Sequence, residues 1–336
     1  MAVYVIAEAG VNHNGSVKNA FKMIDCAKEC GCDCIKFQTF KADALVTSNA
    51  PKADYQMRNT NGSNTQFEML KSLELNDREF EELKAHCDEI GIEFMSTPFD
   101  IESVDVLEKI GVTRYKISSG DINNKQLLQY VAKTGKSMVV STGMSTIEEV
   151  TKAVDWIEQV GNHQITLLHC TSNYPTSYDE VNMKAMQTLQ QKFGYPIGYS
   201  DHTKGDLASI VAVAMGATVI EKHFTLDKNM EGPDHKASLN VEELKEMVDD
   251  IRAVETIMGN GVKQPMKSEL NTRSVARKSV VLAHNIQKGE ILKKEDLVLK
   301  RPGNGLAPEY LDELIGKVLV RNMRAEEMIT WKDVVL

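Results

Sequence analysis

Long hydrophobic runs, an excess of basic residues and compositional bias are all missing from this sequence of 336 residues. No apolar stretch approaches the ~20 residues that a membrane-spanning helix needs, and the first residues lack the basic segment and cleavage site of a signal peptide. The contents of 8 Pro and 21 Gly exclude collagen-like and low-complexity classes. A net charge of -9 argues against broad binding to nucleic acid or membranes, because acidic groups repel phosphate. We therefore expect a globular, cytoplasmic protein.

Two local patterns are also absent. Cys30, Cys32 and Cys34 alternate with other residues, so they lack the CxxC spacing with which two thiolates share a tetrahedral ion. We expect reduced thiols, with Cys34 beginning a buried strand. No G-x-G-x-x-G follows the first strand, which weakens a dinucleotide-binding open sheet, the main competing fold.

A repeating unit is present instead, in which a β-rich run is followed by a polar loop and an amphipathic helical stretch. The predicted strands are Val3–Glu8, Cys34–Gln38, Glu93–Thr97, Tyr115–Ser119, Ser137–Thr142, Ile165–Cys170, Ile197–Ser200 and Thr218–His223. The predicted helices are Ser16–Cys30, Asp77–Ile90, Ile101–Ile110, Thr146–Val160, Asn182–Phe193 and Lys204–Met215. Strands that alternate with helices indicate a parallel sheet, and this number of strands predicts a (β/α)8 TIM barrel.

Polar residues follow the predicted strands at their carboxyl ends, where barrel enzymes carry their catalytic groups. They are Glu8, Lys36, Gln38, Thr97, Lys116, Ser119, Ser141, Thr142, His169, Ser172, Ser200, Asp201, His202, Glu221 and His223. His202 and His223 suit one labile divalent ion, since two imidazoles leave positions for water. The lysines and hydroxyls suit a substrate with a carboxylate and a phosphate. A Schiff base is an alternative use of Lys36, Lys116 or Lys222.

The alternation of strand-like and helix-like segments ends after Ile257. We predict a barrel over residues 1–260, a linker over 261–276 and a small domain of short strands and turns over 277–336. About 60 residues suffice for a module that is docked on a larger partner.

A family resemblance rests on segments spread over the whole chain. They are IAEAGVNHNGS, KFQTFKA, APKADYQ, STPFD, YKISSGD, STGM, LLHCTSNYPT, GYSDHT, EKHFTLD, GPDHKAS and KRPGNG. Together they resemble the sialic acid synthases, which condense phosphoenolpyruvate with an N-acetylated mannosamine-type sugar. The resemblance implies a (β/α)8 barrel followed by an antifreeze-like (SAF, β-clip) domain. It also implies a transferase that forms a nine-carbon 2-keto acid with C–O cleavage and release of phosphate.

The resemblance further implies roles for individual residues. His202 and His223 correspond to the metal ligands, usually of Mn(II), with Mg2+ or Co2+ as other candidates. The phosphoenolpyruvate site corresponds to Lys36, Thr97, Lys116, Ser119, Ser141, Ser172 and Ser200. The sugar site corresponds to Glu8, Gln38, Tyr174, Asp234 and Arg301. Glu8 or Asp121 is expected to move protons. Asp121 replaces a family glutamate and Ser172 replaces an asparagine of some members.

The resemblance finally implies a domain-swapped homodimer, in which Arg301 reaches the partner's barrel. We expect N-acetylneuraminate as the product, with legionaminic acid, formed from a 2,4-diacetamido-6-deoxy sugar, as the alternative. The segment 50–56 is expected to lie over the sugar. A Schiff-base aldolase and a carbohydrate- or ice-binding protein are the competing interpretations.

Overall fold

The structure is a computed structural model, and it describes residues 2–60 and 65–336. The chain divides into two compact units, Met1–Gly259 and Asn260–Leu336. Within the described residues, no helix is both long and apolar enough to cross a bilayer.

The first unit is built on one sheet of eight parallel strands. They are β1 (Tyr4–Gly10), β2 (Cys34–Thr39), β3 (Glu93–Pro98), β4 (Arg114–Ile117), β5 (Ser137–Ser141), β6 (Ile165–His169), β7 (Ile197–Asp201) and β8 (Val219–His223). β1 pairs with both β2 and β8, so the first and last strands are neighbours. β3 and β4, at the two ends of the hydrogen-bonded order, also contact each other. The sheet therefore closes on itself, which confirms the predicted barrel.

Helices follow these strands along the chain. They are α1 (Val17–Glu29), α2 (Ala42–Leu45), α3 (Asp54–Asn59), α4 (Gln66–Lys71), α5 (Asp77–Ile90), α6 (Ile101–Ile110), α7 (Lys125–Ala132), α8 (Ile147–Glu158), α9 (Lys184–Phe193), α10 (Leu207–Ala214) and α11 (Val241–Met258). The short helices α2 to α4 lie in the segment between β2 and β3. α8 is capped by Thr146, whose hydroxyl accepts from the Glu149 N–H while the Glu149 side chain accepts from the Thr146 N–H. This reciprocal cap satisfies two backbone donors that the first helical turn leaves unpaired. The short helices α2 to α4 were not predicted, because such segments are too brief for a helical period to stand out. The helices α7 and α11 are also absent from the prediction.

The inside of the barrel is apolar at one level and polar at the next. One apolar cluster contains Ile6, Cys34, Met95, Val139, Leu168 and Val219, each from a different strand. Two residues further along, the same strands carry Glu8, Lys36, Thr97, Ser141 and Glu221. Alternate side chains of a strand share a face, so these polar groups lie above the apolar layer, at the carboxyl ends of the strands.

The second unit has its own apolar core around Val280, Leu282, Leu292, Leu314 and Ile329. Its antiparallel pairs are β9 (Ser279–Leu282) with β10 (Leu297–Lys300) and β11 (Val318–Leu319) with β12 (Val334–Val335). Its helices are α12 (Leu270–Ala276) and α13 (Leu311–Leu314), so the segment predicted as a linker, residues 261–276, includes a helix.

Candidate active site

A cavity of about 450 Å³ opens at the carboxyl ends of the barrel strands. Every predicted site residue except Asp121 and Arg301 lines it. They are Glu8, Lys36, Gln38, Thr97, Lys116, Ser119, Ser141, Ser172, Tyr174, Ser200, His202, His223 and Asp234. Strand alternation and barrel closure together bring residues that are up to 226 positions apart in the sequence (from Glu8 to Asp234) to one place.

Four charged groups form a buried network at the base of the cavity. The Lys36 ammonium lies 2.5 Å from Glu8 Oε2 and 3.7 Å from Glu221 Oε2. Lys116 Nζ donates to Glu221 Oε1 at 2.8 Å. All four side chains are at most 5% exposed. Since each cation has a carboxylate partner, the network is close to neutral and can persist away from water.

The positions of the charges set their pKa values. Burial opposes ionisation of Glu221, but the ammonium groups of Lys116 and Lys36 outweigh it and lower the pKa of this carboxyl. Burial raises the pKa of Glu8 to about 7, because desolvation and the charge of Glu221 exceed the attraction of Lys36. Burial lowers the pKa of Lys116, whereas the pKa of Lys36 is raised because Glu221 and Glu8 together outweigh the burial of its ammonium group. Glu221 is therefore the carboxylate that stays ionised between the two lysines.

Hydroxyl groups surround this network. Ser200 Oγ donates to Glu221 Oε1 at 2.8 Å, and Lys36 Nζ donates to Thr97 Oγ1 at 3.2 Å. Ser141 Oγ is buried and has no hydrogen-bond partner. A buried hydroxyl without a partner is costly. Ser141 is therefore a donor that a bound ligand could satisfy.

A glycine lets three loops approach each other beside the hydroxyls. The Gly143 N–H donates to Ser119 Oγ at 3.0 Å. A Cβ on Gly143 would lie 2.3 Å from Ser172 Oγ and 3.1 Å from Cys170 Sγ. A side chain at position 143 would therefore displace the hydroxyls of Ser119 and Ser172 from their places in the cavity.

Two imidazoles face each other on the adjacent strand ends of β7 and β8. The ring centroids of His202 and His223 are 5.6 Å apart. His202 Nδ1 is 2.7 Å from the Thr171 carbonyl oxygen, which fixes Nδ1 as the donor and leaves Nε2 with its lone pair. Burial lowers the pKa of His202 to about 4 and that of His223 well below its ordinary value, so both rings are neutral at pH 7.

The imidazole pair fits a divalent ion that retains water or substrate ligands. His223 Nδ1 is buried without a partner, and a backbone carbonyl orients the ring of His202, as is usual for metal-binding histidines. No group of three or more His, Cys, Asp or Glu side chains suited to a metal occurs within residues 2–60 and 65–336. An ion bound here would therefore take only two protein ligands, which agrees with a labile site.

The outer part of the cavity is aromatic and apolar. The ring of Tyr174 lies 4.2 Å from that of His202, and the ring of Tyr55 from α3 lies 5.0 Å from Tyr174. Asp234 Oδ1 is buried without a partner, and burial raises the pKa of Asp234 to about 6. The remaining apolar lining consists of Val11, Leu45, Val46, Ala53, Met69, Leu70, Leu73, Phe99, Met144 and Pro233.

Two predicted site residues lie elsewhere. The carboxylate of Asp121 does not line the cavity; it accepts from Ser118 Oγ at 2.7 Å and from Asn124 Nδ2 at 3.3 Å. Arg301 belongs to the second unit and is exposed. Lys222, one of the three Schiff-base candidates, also lies outside the cavity and is fully buried.

Two residues with prominent places in the cavity had no assigned role in the sequence analysis. Glu221 was recognised only as a polar strand end, although its alternation with His223 on β8 was a sufficient signal that both point inward. Tyr55 lies in the segment 50–56 that was expected over the sugar, and it does line the cavity. Its pairing with Tyr174 depends on two loops and leaves no signal in the sequence.

A closed parallel barrel with ionised groups converging at its strand ends is characteristic of a (β/α)8-barrel enzyme. The NeuB family model matches residues 23–263, and a SAF domain model matches residues 277–335. The chain belongs to the NeuB family and is an enzyme that carries a C-terminal SAF domain.

Three relatives illustrate the similarity. N,N'-diacetyllegionaminic acid synthase of Legionella pneumophila is 47% identical, over 99% of this chain and 95% of the relative. The enzyme of the same name from Campylobacter jejuni is 46% identical, over 97% of this chain and 98% of the relative. The crystal structure of N-acetylneuraminic acid synthetase from Leptospira borgpetersenii, in complex with citrate, has a TM-score of 0.71 at 36% identity. That match covers 81% of this chain and 90% of the solved one.

Proposed function

We propose that this enzyme condenses phosphoenolpyruvate with a 2,4-diacetamido-6-deoxy sugar of the mannosamine type to give a legionaminic acid and phosphate. The observation that carries the proposal is a single cavity in which two buried lysines, several hydroxyls and two neutral imidazoles meet. The two similar relatives named diacetyllegionaminic acid synthases favour this product over N-acetylneuraminate, which we had expected first. The reaction belongs in the cytoplasm, where phosphoenolpyruvate is formed.

Positioning and electrostatics supply the catalysis that this chain's residues perform. Lys36 and Lys116 hold the carboxylate and phosphate of phosphoenolpyruvate, with hydroxyl donors from Thr97, Ser119, Ser141, Ser172 and Ser200. Carbon 3 of phosphoenolpyruvate then attacks the aldehyde carbon of the open-chain sugar, and water adds to carbon 2. Collapse of the adduct breaks the C–O bond and releases phosphate and the 2-keto acid. Donors fixed before the reaction stabilise the charge that develops during it.

His202 and His223 would hold the divalent ion, for which Mn(II), Mg2+ and Co2+ are candidates. When bound, such an ion supplies Lewis-acid polarisation of the sugar aldehyde. Tyr174 packs against His202 and closes one side of the cavity, so it limits the access of water to this end. Glu8 lies between Lys36 and the Gln38 amide, which is 3.5 Å from Glu8 Oε1, and this location between the two substrate sites suits a proton-transfer group.

The outer cavity supports an unphosphorylated, partly deoxygenated sugar. Its lining includes Met69, Leu70, Leu73 and Phe99, which suit the methyl groups of acetamido and 6-deoxy substituents. Of the cavity-lining residues that the structure describes, only Lys36 and Lys116 are cationic, and both are paired with carboxylates. A sugar phosphate would have no counter-ion at this end from those residues. Asp234, with its free oxygen, suits a sugar hydroxyl or amide donor.

A direct comparison of substrates tests the proposal. The purified enzyme would receive phosphoenolpyruvate, Mn(II) and either the diacetamido-6-deoxy sugar or N-acetylmannosamine, and phosphate release and product mass would be measured. We expect kcat/KM at least about 30-fold higher for the diacetamido sugar, since two apolar substituent contacts contribute about 1–3 kcal/mol each. Equal or reversed preference would contradict the sugar assignment, and no turnover with either sugar would contradict the reaction.

We also propose that a homodimer is the working unit, with Arg301 completing the partner's sugar site. The support is the family resemblance together with a constrained loop: Ser279 Oγ donates to the Pro302 carbonyl at 2.7 Å and accepts from the Gly305 N–H at 2.8 Å. These bonds fix the loop that follows the exposed Arg301.

Subunit mixing tests the dimer. Arg301→Ala and His223→Ala subunits, each inactive alone, would be mixed in equal amounts and allowed to exchange. Half of the dimers are then mixed, and one of the two sites in each is intact, so about one quarter of wild-type activity should return. No recovery after demonstrated exchange would show that Arg301 serves its own barrel or no site.

A further inference from the structure

A lysine and an aspartate are buried together behind the two imidazoles. Asp201 precedes His202 at the end of β7, Lys222 precedes His223 at the end of β8, and Asp201 and Lys222 are register partners. Lys222 Nζ lies 3.0 Å from Asp201 Oδ2, and neither side chain is exposed to solvent. Because successive side chains of a strand point to opposite faces, the imidazoles face the cavity while this pair lies on the outer side of the barrel wall.

The pair also holds the backbone of the residue that follows His202. The Thr203 N–H donates to Asp201 Oδ1 at 2.8 Å, and Lys222 Nζ donates to the Thr203 carbonyl oxygen at 2.7 Å. The Ser209 hydroxyl of α10 donates to Asp201 Oδ2 at 2.7 Å. Both polar groups of the Thr203 backbone are thus bound by the side chains of the pair, and His202 lies between two anchored residues.

We propose that the Asp201–Lys222 pair is a positioning device that sets the spacing of His202 and His223 for binding one divalent ion. Neither residue touches the cavity; each acts through the backbone next to an imidazole. This inference rests on the metal site of the proposed function.

The two imidazoles can share one ion only if their spacing is held within narrow limits. Metal–nitrogen bonds accept deviations of about 0.2 Å, so the distance between two ligands must be set by the backbone that carries them. The ring of His202 is oriented by two contacts, from Nδ1 to the Thr171 carbonyl at 2.7 Å and between Nε2 and Ser200 Oγ at 3.4 Å, and neither of them restrains the main chain at residue 203. Without Lys222 the Thr203 carbonyl loses its buried donor, so the side-chain bond that ties residue 203 to β8 is lost. The His202 carbonyl still accepts from the Thr176 N–H at 2.8 Å, but this bond joins it to the loop after β6 and not to β8.

The test measures Mn(II) affinity in the full-length protein without substrates, using the electron paramagnetic resonance signal of free Mn(II). Lys222→Met keeps the length of the side chain and removes the ammonium group. We expect its Mn(II) dissociation constant to rise about 10- to 100-fold, as for other outer partners of metal ligands. Asp201→Asn keeps an oxygen that can accept from the Thr203 N–H, and it should show a smaller rise.

Arg114→Met is the matched control. It removes the Arg114–Glu93 ion pair, which joins β4 to β3 at the opposite ends of the strands. We expect a lower Tm but an unchanged Mn(II) affinity. If Arg114→Met weakens Mn(II) binding as much as Lys222→Met, the effect is general destabilisation and the positioning role is overturned.

The remaining outcomes separate this inference from the metal assignment. Wild-type affinity in Lys222→Met, with loss of binding in His223→Ala, overturns the positioning role and leaves the metal site in place. Absence of Mn(II) binding by the wild-type protein overturns both. If Lys222→Met does not fold, Asp201→Asn decides the question, and wild-type affinity in that variant overturns the positioning role.

Discussion

The two units of the chain place their charges in opposite ways. The barrel buries Lys36, Lys116, Glu8 and Glu221 at its centre, each at most 5% exposed. The second unit buries mainly apolar side chains, and the basic partner of each of its ion pairs is exposed: Lys300 (49%) pairs with Glu326, and Arg321 (46%) pairs with Glu327 and with Asp333, which is itself only 9% exposed.

This difference in burial implies different energetic roles for the ion pairs of the two units. A surface ion pair contributes about 0–1 kcal/mol, whereas breaking a buried pair costs about 3–5 kcal/mol because the remaining charge lacks a partner. Burying four charged groups is therefore not an effective way to stabilise the folded state. In the proposed reaction the two buried ammonium groups act instead as binding groups for anionic phosphoenolpyruvate, because a charge is screened less in a buried site than in water.

The largest expected effect comes from the metal. Chelation should abolish turnover, and Mn(II) should restore it, because the sugar aldehyde then regains its polarising partner. His223→Ala should remain inactive at ordinary metal concentrations, since the site loses one of its two imidazoles. Steady-state assays of chelated, reconstituted and variant enzymes provide the measurement. Full activity of the chelated enzyme would contradict the metal site.

The second effect concerns the buried lysines. Lys116→Met should lower kcat/KM for phosphoenolpyruvate by at least about 100-fold, because the substrate loses a buried cation and Glu221 loses a partner. Lys300→Met in the second unit, which removes an exposed lysine of the same kind, is the matched control and should leave kcat/KM unchanged. Equal values for Lys116→Met and the wild type would exclude Lys116 from the site.

The third effect is a difference in acid stability between the units. Burial lowers the pKa values of both His13 and His235 to about 4. Because these folded-state values are below the unfolded value of about 6.5, the histidines' contribution is complete above pH 6.5 and is lost as the pH falls towards 4. Each of the two should cost about 3 kcal/mol by pH 4.

The two tryptophans allow the units to be followed separately. Trp156 is in α8 of the barrel and Trp331 is in the second unit. Trp331→Phe therefore leaves a fluorescent reporter in the barrel alone, and Trp156→Phe leaves one in the second unit alone. Urea unfolding at several pH values should show a marked loss of stability between pH 6.5 and 4 for the barrel reporter. His13→Gln should reduce that slope. A barrel reporter with no pH dependence in this range would contradict the buried neutral state of these histidines.

The smallest effect is expected at the surface of the second unit. Arg321→Met removes hydrogen bonds to Asp333 Oδ1 at 2.6 Å and to Glu327 Oε1 at 2.7 Å. Because solvent screens an arginine that is 46% exposed, the free energy of unfolding should fall by about 0–1 kcal/mol. Urea titration with the Trp331 reporter measures it. A loss as large as 3 kcal/mol would remove the distinction between buried and exposed charges on which the comparison rests.

Most of the site residues could be predicted from the alternation of side chains between the two faces of each strand. The positions of Glu8, Lys36 and Lys116 in otherwise apolar strands were sufficient to place them inside the barrel, since a buried strand accepts a charge only where it has a partner. Asp121 shows where such reasoning ends. It is close in sequence to Ser119, which lines the cavity, but a turn of 3-10 helix directs its carboxylate to Ser118 and Asn124 instead.

The sequence by itself determined the periodic part of this protein: eight strands, six of the helices that follow them, the inward polar layer and the family motifs. These are local patterns, because a side chain's face follows from the repeat of its own strand or helix. Only the tertiary structure decided which inward charges pair, that Tyr55 meets Tyr174, and that Lys222 turns away from the cavity to hold Asp201 and Thr203. Those contacts join residues on different strands and loops, so they depend on closure of the barrel and leave no local pattern.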